Sequence, residues 1–351
     1  MTEFLCRHPV AAPFGVFILM RKLVKTLILL FILCALLACA GFYYWISAPL
    51  TLSSEPVDFH IPPGYGLRSA AKEVANAGVG IDPWVLVLLG KIGKLDTSIK
   101  AGSYEIKRGI TAVELLKKLT QGDVTQTDIS FIEGWTFRQM RARLNAHPEV
   151  RHDSQALSDA EIMRAIGAVG EVAEGQFFPD TYLFSKQSRD LDILKRSYRD
   201  MQRHLAREWA EKSPSLPYAD AQQALIMASI VEKETGRDQD RPLIAAVFVN
   251  RLRLGMLLQT DPTVIYGIGE KFDGNLRKRD LQSDTPYNTY TRSGLPPTPI
   301  ALVGLASLRA ALHPAASGAL YFVARGDGSS EFSKTLEEHN RAVNRYQRGG
   351  K

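Results

Sequence analysis

An uncharged apolar run at residues 26–46 limits the structures that the N-terminal part of this chain can adopt. A helix of about 20 apolar residues crosses the hydrocarbon core of a bilayer. Three basic residues within 21–25 precede the run, and four aromatic residues at 42–45 close it. Basic residues stay on the cytoplasmic side and aromatic residues gather at the interfaces. We therefore predict a cytoplasmic tail at 1–25, one transmembrane helix at 26–46 and a spacer at 47–55.

Two other interpretations of the N-terminus stay open. A cleaved signal peptide has a shorter apolar core than this run. A lipoprotein-type box at 36–39 would place processing at Cys39, although the apolar run continues past it. The start of the protein is also open, because Met20 opens a more ordinary basic leader than Met1 does.

Composition narrows the function classes. The formal net charge is +6 and the pI about 9.1, which suits an acidic partner, but basic runs are short and nucleic-acid binding is not predicted. All three cysteines lie at or before residue 39, and the seven histidines show no ligand spacing. We therefore predict no disulfide beyond the apolar run, no metal and no cofactor.

The remainder of the chain predicts an α+β fold in two parts. Residues 56–122 form a small α+β unit, and residues from about 130 to 351 form a larger one. Helices are predicted at 67–77, 83–89, 112–120, 136–146, 152–170, 191–212, 241–254 and 335–348, strands at 57–61, 101–106, 124–132 and a buried 320–323, and polar loops at 259–267 and 286–297.

The segment Ala221–Thr235 is apolar on almost every side of a helix and ends in Glu232-Lys233-Glu234. A helix of that kind is normally buried. Burial and the negative end of the helix dipole both oppose ionisation of a carboxyl group and raise its pKa. A carboxyl group with a raised pKa is what a general acid needs near neutral pH.

Helix geometry separates the two glutamates without ranking them. At about 100° per residue, Glu232 and Glu234 point roughly 160° apart and cannot share one pocket. Glu232 lies on the stripe of Leu225, and Glu234 lies beside Met227. It also stays open that both are solvated on the last turn, paired with nearby basic residues such as Lys233.

Six stretches occur in a fixed order: GQFFPDTYLF (175–184), MASIVEKET (227–235), VFVNRLRLGMLLQTDPTVIYGIG (247–269), YNTYTRSGLPP (287–297), LYFVARGDG (320–328) and FSKTLEEHN (332–340). With weaker matches at 100–106 and 133–136, they resemble the YceG-like family of endolytic murein transglycosylases. The chain departs from that family at Thr298, where glycine is usual, at 302–303, where Asn-Pro is usual, and at 330–331, where a histidine is common.

The resemblance implies a LysM-like subdomain at 56–122 and a catalytic domain at 130–351. It implies Glu234 as the catalytic acid, with Glu232 as the alternative. The implied substrate is the peptidoglycan glycan strand, cut without water at the MurNAc–GlcNAc β-1,4 bond to leave 1,6-anhydro-MurNAc ends and to terminate strand elongation. The implied location is the cell inner membrane with the catalytic domain in the periplasm, and the implied partners include peptidoglycan synthases.

Loop residues that carry amides, hydroxyls and aromatic rings suit sugar binding. The predicted substrate-binding residues are Gln259, Thr260, Asp261, Tyr287, Asn288 and Tyr290. The alternative is that these residue types only make turns. Two alternative functions stay open. One is a lysozyme-like hydrolase, which needs a second carboxylate such as Asp261 or Glu270, and the other is a non-enzymatic peptidoglycan-binding scaffold.

Overall fold

The computed structural model describes residues 14–95 and 98–349. The first part of the predicted cytoplasmic tail, including the alternative start at Met1, lies outside the described residues. The contacts divide the chain into two compact units, one ending at Thr125 and one beginning at Gln126. The sequence places the junction between residues 122 and 130, and a LysM-like identity for the first unit stays a prediction.

Helices are interspersed with short strands in the first unit, and six helices follow one another from residue 190 to residue 312 in the second. The helices are α1 Phe14–Ile46, α2 Leu67–Asn76, α3 Pro83–Ile92, α4 Ala112–Gln121, α5 Phe137–Asn145, α6 Asp159–Ile166, α7 Asp190–Ala210, α8 Ala221–Glu234, α9 Arg241–Arg253, α10 Asp261–Ile268, α11 Lys278–Gln282, α12 Leu305–Leu312 and α13 Leu336–Tyr346. The strands are β1 Thr51–Leu52, β2 Val57–Ile61, β3 Val79–Gly80, β4 Gly102–Ile106, β5 Gln126–Ser130, β6 Val150–Arg151, β7 Thr181–Ser185, β8 Ser188–Arg189, β9 Tyr321–Ala324 and β10 Ser330–Ser333. The mixed fold class is as the sequence predicts.

Helix α1 is longer than predicted, because it begins at Phe14 instead of Thr26. The basic residues at 21–25 are good helix formers and do not interrupt it. From Arg21 to Ile46 the helix is long and apolar enough to cross a membrane. The most apolar stretch of this segment is not buried against the rest of the protein.

The first unit is built on the antiparallel pair β2–β4, which runs from Val57 opposite Ile106 to Ile61 opposite Gly102. Helices α2, α3 and α4 contribute most of the rest of its core, and Val79 and Ile81 complete it. The prediction that α3 ends before Gly90 is wrong, since α3 continues to Ile92. A Cβ at Gly90 would lie 2.4 Å from the Leu67 side chain, so this glycine permits close packing of α2 on α3 instead of ending the helix.

The first half of the second unit packs α5, α6 and α7 around the antiparallel pair β5–β7. The helix predicted over 152–170 is wrong in its bounds. Ser158 caps α6 through a capping box with Glu161, and Gly167 ends it in a left-handed conformation, so only Asp159–Ile166 is helical.

The second half of the unit packs α8 against α9 and α12 in the largest apolar cluster of the protein. Two predictions are corrected here. The predicted polar loop 259–267 contains helix α10, which starts with Asp261 and Pro262 in its first turn. Strand β9 pairs with β10 as a hairpin, and only Val323 of its residues is buried, so the strand is not the buried one predicted.

Candidate active site

The site begins at the C-terminal end of α8. Asp220 caps the start of this helix through Gln223 N at 2.9 Å, and every side chain from Ala224 to Val231 is buried. Thr235 follows in an extended conformation, so the helix stops at Glu234. The buried helix thus carries Glu232 and Glu234 on its last turn, as the sequence predicts.

Glu234 is half-buried, and the Thr260 hydroxyl donates a hydrogen bond to its Oε1. Burial raises the pKa of Glu234 to about 7. The hydrogen bond from Thr260 opposes that rise, because it stabilises the carboxylate, and the negative charge of Asp261 adds to it. Near neutral pH this carboxyl group can therefore give up a proton and take one back.

Glu232 has a different environment, although it is only two residues away. Its side chain is 5% exposed, it accepts a hydrogen bond from Gly304 N at 3.0 Å, and it lies 3.6 Å from Arg241 Nη2. Gly304 precedes α12 and Arg241 starts α9. Glu232 therefore joins α8 to two neighbouring helices, and the structure gives this alternative candidate a packing role.

Thr260 is fixed by neighbouring threonines. Its backbone nitrogen donates to Thr289 Oγ1 at 3.1 Å, and its carbonyl accepts from Thr263 Oγ1 at 2.8 Å. The hydroxyls of Thr263 and Thr289 are themselves 2.9 Å apart. This buried network holds the Thr260 hydroxyl on Glu234.

Asp261 and Tyr290 form a second polar pair near Glu234. The Tyr290 hydroxyl donates to Asp261 Oδ1 at 2.5 Å. Burial, followed by the interaction with Asp261, raises the pKa of Tyr290 and keeps it a neutral donor. Glu270, the other candidate second carboxylate, forms an exposed ion pair with Arg138.

The other predicted substrate-binding residues, Gln259, Tyr287 and Asn288, differ in their surroundings. Gln259 is exposed in a left-handed conformation, with φ of 52°. The Tyr287 hydroxyl lies 2.9 Å from the hydroxyl of Thr298, the residue that replaces the family's usual glycine. Asn288 is fully buried, and its amide nitrogen donates to three backbone carbonyls within 280–283. Its predicted sugar contact is therefore corrected to a role in holding the loop.

Sequence reasoning missed a second buried acid, Glu174. Its carboxylate accepts hydrogen bonds from Phe137 N and from the Tyr266 hydroxyl, each at 3.0 Å. Burial raises its pKa to about 7, and these hydrogen bonds oppose the rise. A signal was present in the sequence, because Glu174 directly precedes the aromatic stretch 175–184 that carries the family resemblance.

A groove of about 1000 Å³ runs beside these groups. Glu174 and Tyr266 line it, and so does Tyr287, whose ring lies 4.9 Å from that of Tyr266 at an angle of 61°. Glu234 does not itself line the groove, but Lys233 and Pro262, which neighbour Glu234 and Asp261 in the chain, do. Aromatic faces beside carboxyl groups and hydroxyls form a surface suited to sugars.

The chain is similar to one protein family and to proteins that are named endolytic murein transglycosylases. The YceG-like family matches residues 59–345. The endolytic murein transglycosylase of Bacillus subtilis strain 168 is 34% identical over 268 residues, which are 71% of this chain and 74% of that protein. The endolytic murein transglycosylase of Streptococcus pneumoniae D39 is 26% identical over 88% of this chain, and the chain spans 63% of its length.

A solved structure shares the fold. The 2.6 Å crystal structure of a yceG-like protein from Listeria monocytogenes superposes with a TM-score of 0.52 at 30% identity. The match covers 82% of this chain and 99% of the crystallised one.

Proposed function

The chain belongs to the YceG-like family, and from that premise we propose that it is a lytic transglycosylase that cuts peptidoglycan glycan strands. The observation that carries the proposal is the carboxyl group of Glu234. It ends a buried helix, its pKa is raised to about 7, and the Thr260 hydroxyl holds it in place next to a groove suited to sugars. One such group is sufficient for a reaction that consumes no water.

In the first half of the reaction, Glu234 acts as the acid. Its proton passes to the glycosidic oxygen between MurNAc and GlcNAc, the bond from that oxygen to C1 of MurNAc breaks, and GlcNAc leaves with a free 4-hydroxyl. Positive charge develops at C1 and on the ring oxygen. The carboxylate of Asp261, which lies close enough to raise the pKa of Glu234, stabilises that charge.

In the second half, Glu234 acts as the base. Its carboxylate takes the proton of the MurNAc C6 hydroxyl, and O6 forms a bond to C1. The product is a 1,6-anhydro ring, and Glu234 is again protonated. A pKa near the working pH serves both halves, because each protonation state is then accessible.

The positions of the side chains near Glu234 suggest which of them contact the substrate. The rings of Tyr266 and Tyr287 form an aromatic wall for sugar faces, and the exposed amide of Gln259 is available to sugar hydroxyls. Tyr290 positions Asp261, and Asn288 shapes the loop that carries both tyrosines 287 and 290.

The setting of the reaction is part of the proposal. Helix α1 anchors the chain in the cell inner membrane, and the second unit works in the periplasm on nascent strands, so that cutting terminates their elongation. Peptidoglycan synthases at the same membrane are the proposed protein partners.

A lysozyme-like hydrolase is the second candidate, favoured by one observation. Asp261 is a carboxylate close enough to Glu234 to raise its pKa, and retaining or inverting glycosidases need such a pair. The hydrogen bond from Tyr290 occupies one oxygen of Asp261, which suits a fixed electrostatic role better than attack on C1.

Product analysis in ¹⁸O-labelled water separates the three functions. We expect purified full-length protein to cut uncrosslinked glycan strands to products with 1,6-anhydro ends, one water lighter than reducing ends and without ¹⁸O. Reducing ends that carry ¹⁸O would show a hydrolase and contradict the proposal. Intact strands would show a scaffold, provided that a known lytic enzyme cuts the same preparation.

A further inference from the structure

Helix α3 presents an apolar face to solvent. Trp84, Leu88 and Ile92 are 58%, 37% and 66% exposed, and their spacing of four residues places them on one side of the helix. We call these three residues the α3 stripe. The opposite side, with Val85 and Leu86, lies in the core of the first unit. A helix that is apolar on both sides is normally buried on both sides, so an exposed apolar face indicates an interaction site.

The end of the membrane-length helix α1 lies in the same compact unit as α3. Ile46, the last residue of α1, packs against the same apolar core as Val85 and Leu86. A few residues later β1 pairs with β3, with Thr51 opposite Gly80, and α3 begins at Pro83. The α3 stripe and the end of α1 therefore belong to the same compact unit.

The side chains of α3 match those of an interfacial helix. Tryptophan favours the boundary between headgroups and acyl chains, and aromatic residues 42–45 at the end of α1 are exposed in the same way. Leu88 and Ile92 are exposed apolar side chains of the kind that interfacial helices bury at the edge of the acyl chains. Lys91 and Lys94, both exposed, supply ammonium groups for lipid phosphates.

We propose that the α3 stripe docks on the outer leaflet of the membrane that holds α1. The first unit is then held to the bilayer by two contacts, the spanning helix and the interfacial one. This inference rests on the membrane anchoring stated under the proposed function, and not on the reaction of Glu234.

Fluorescence quenching by brominated lipids tests the contact. The full-length protein is reconstituted in vesicles of phosphatidylethanolamine and phosphatidylglycerol, with and without bromine on the acyl chains. The chain has four tryptophans, so the emission of Trp84 is obtained by subtracting the spectrum of Trp84→Phe. Trp45→Phe gives the matched emission of Trp45, which lies at the end of α1.

The expected result is a loss of Trp84 emission in brominated vesicles comparable to the loss for Trp45. Replacing the exposed Leu88 and Ile92 by Asp should restore the Trp84 emission and leave that of Trp45 quenched. Quenched Trp45 with unquenched, water-like Trp84 would overturn the docking and leave the anchor intact. Unquenched emission from both would overturn the anchor and the docking together. Trp84 emission that is shielded from water but not quenched by bromine, together with crosslinks between two copies of the chain, would show a protein contact. That result would overturn the proposal.

Discussion

Replacing Glu234 by Gln is expected to lower the rate of glycan cleavage by roughly 10²–10⁴-fold, the usual loss when a general acid is removed. The amide cannot donate the proton to the leaving oxygen or take one from the C6 hydroxyl. The fold should persist, because glutamine keeps the shape of the side chain and can still accept the hydrogen bond from Thr260. Release of anhydro products by the variant, measured against wild type at equal glycan binding, checks the prediction.

Glu232→Gln is the matched control, since it makes the same change on the same turn. Glutamine can still accept from Gly304 N, but it leaves the buried Arg241 without the facing charge of Glu232, so the variant should unfold more easily, by about 1–3 kcal/mol. Below its unfolding transition it should retain the chemical step. Normal cleavage by Glu234→Gln, together with inactivity of a folded Glu232→Gln, would show that the other glutamate is the acid.

Gly175→Ala is expected to lower the free energy of unfolding by about 2–5 kcal/mol. Gly175 has φ of 77°, and a left-handed conformation costs an L-residue roughly 1–2 kcal/mol. The added Cβ would also lie 2.3 Å from Pro299 Cβ, and overpacking costs about 1–3 kcal/mol more. The proline ring cannot rotate away, so the backbone has to move. Denaturant unfolding of the two proteins measures the difference.

Gly294→Ala separates the two contributions. Gly294 has φ of 83°, but a Cβ there would meet no heavy atom within 4 Å. It should therefore lose only the roughly 1–2 kcal/mol of backbone strain. Equal losses in the two variants would mean that the approach of Pro299 to Gly175 is not a constraint on the fold.

The parts of the fold that the sequence predicts well are those decided by neighbours in the chain. Thr111 and Thr136 stand at the start of the helices predicted at 112–120 and 136–146, and each begins its helix with a capping box. The sequence predicts helix α8 with nearly its observed bounds, since a long apolar segment that ends in charged residues has few other structures. Gly90 shows the limit of such reasoning, because its close contact with Leu67 cannot be read from adjacent residues.

The site could be predicted only in part, because its contacts join distant segments. Helix geometry left Glu232 and Glu234 unranked, and the group that fixes Glu232, Gly304 N, comes 72 residues later. Glu174 was missed because its partner Tyr266 is 92 residues away. In the sequence, the amide of Asn288 is of the type that binds sugar hydroxyls. Only the folded loop shows that its nitrogen already donates to backbone carbonyls.

A titration of the Glu234 carboxyl group tests whether it is the acid that donates the proton. Protein with ¹³C-labelled glutamate carboxyls is followed by NMR as the pH changes, with Glu234→Gln to assign its signal and Glu174→Gln to assign the second buried acid. The midpoint for Glu234 should lie near pH 7, and cleavage should be lost as the pH rises through it because the acid has then lost its proton. A midpoint at the ordinary value of 4.5 would rule out Glu234 as the general acid, since it would then have no proton to give at neutral pH.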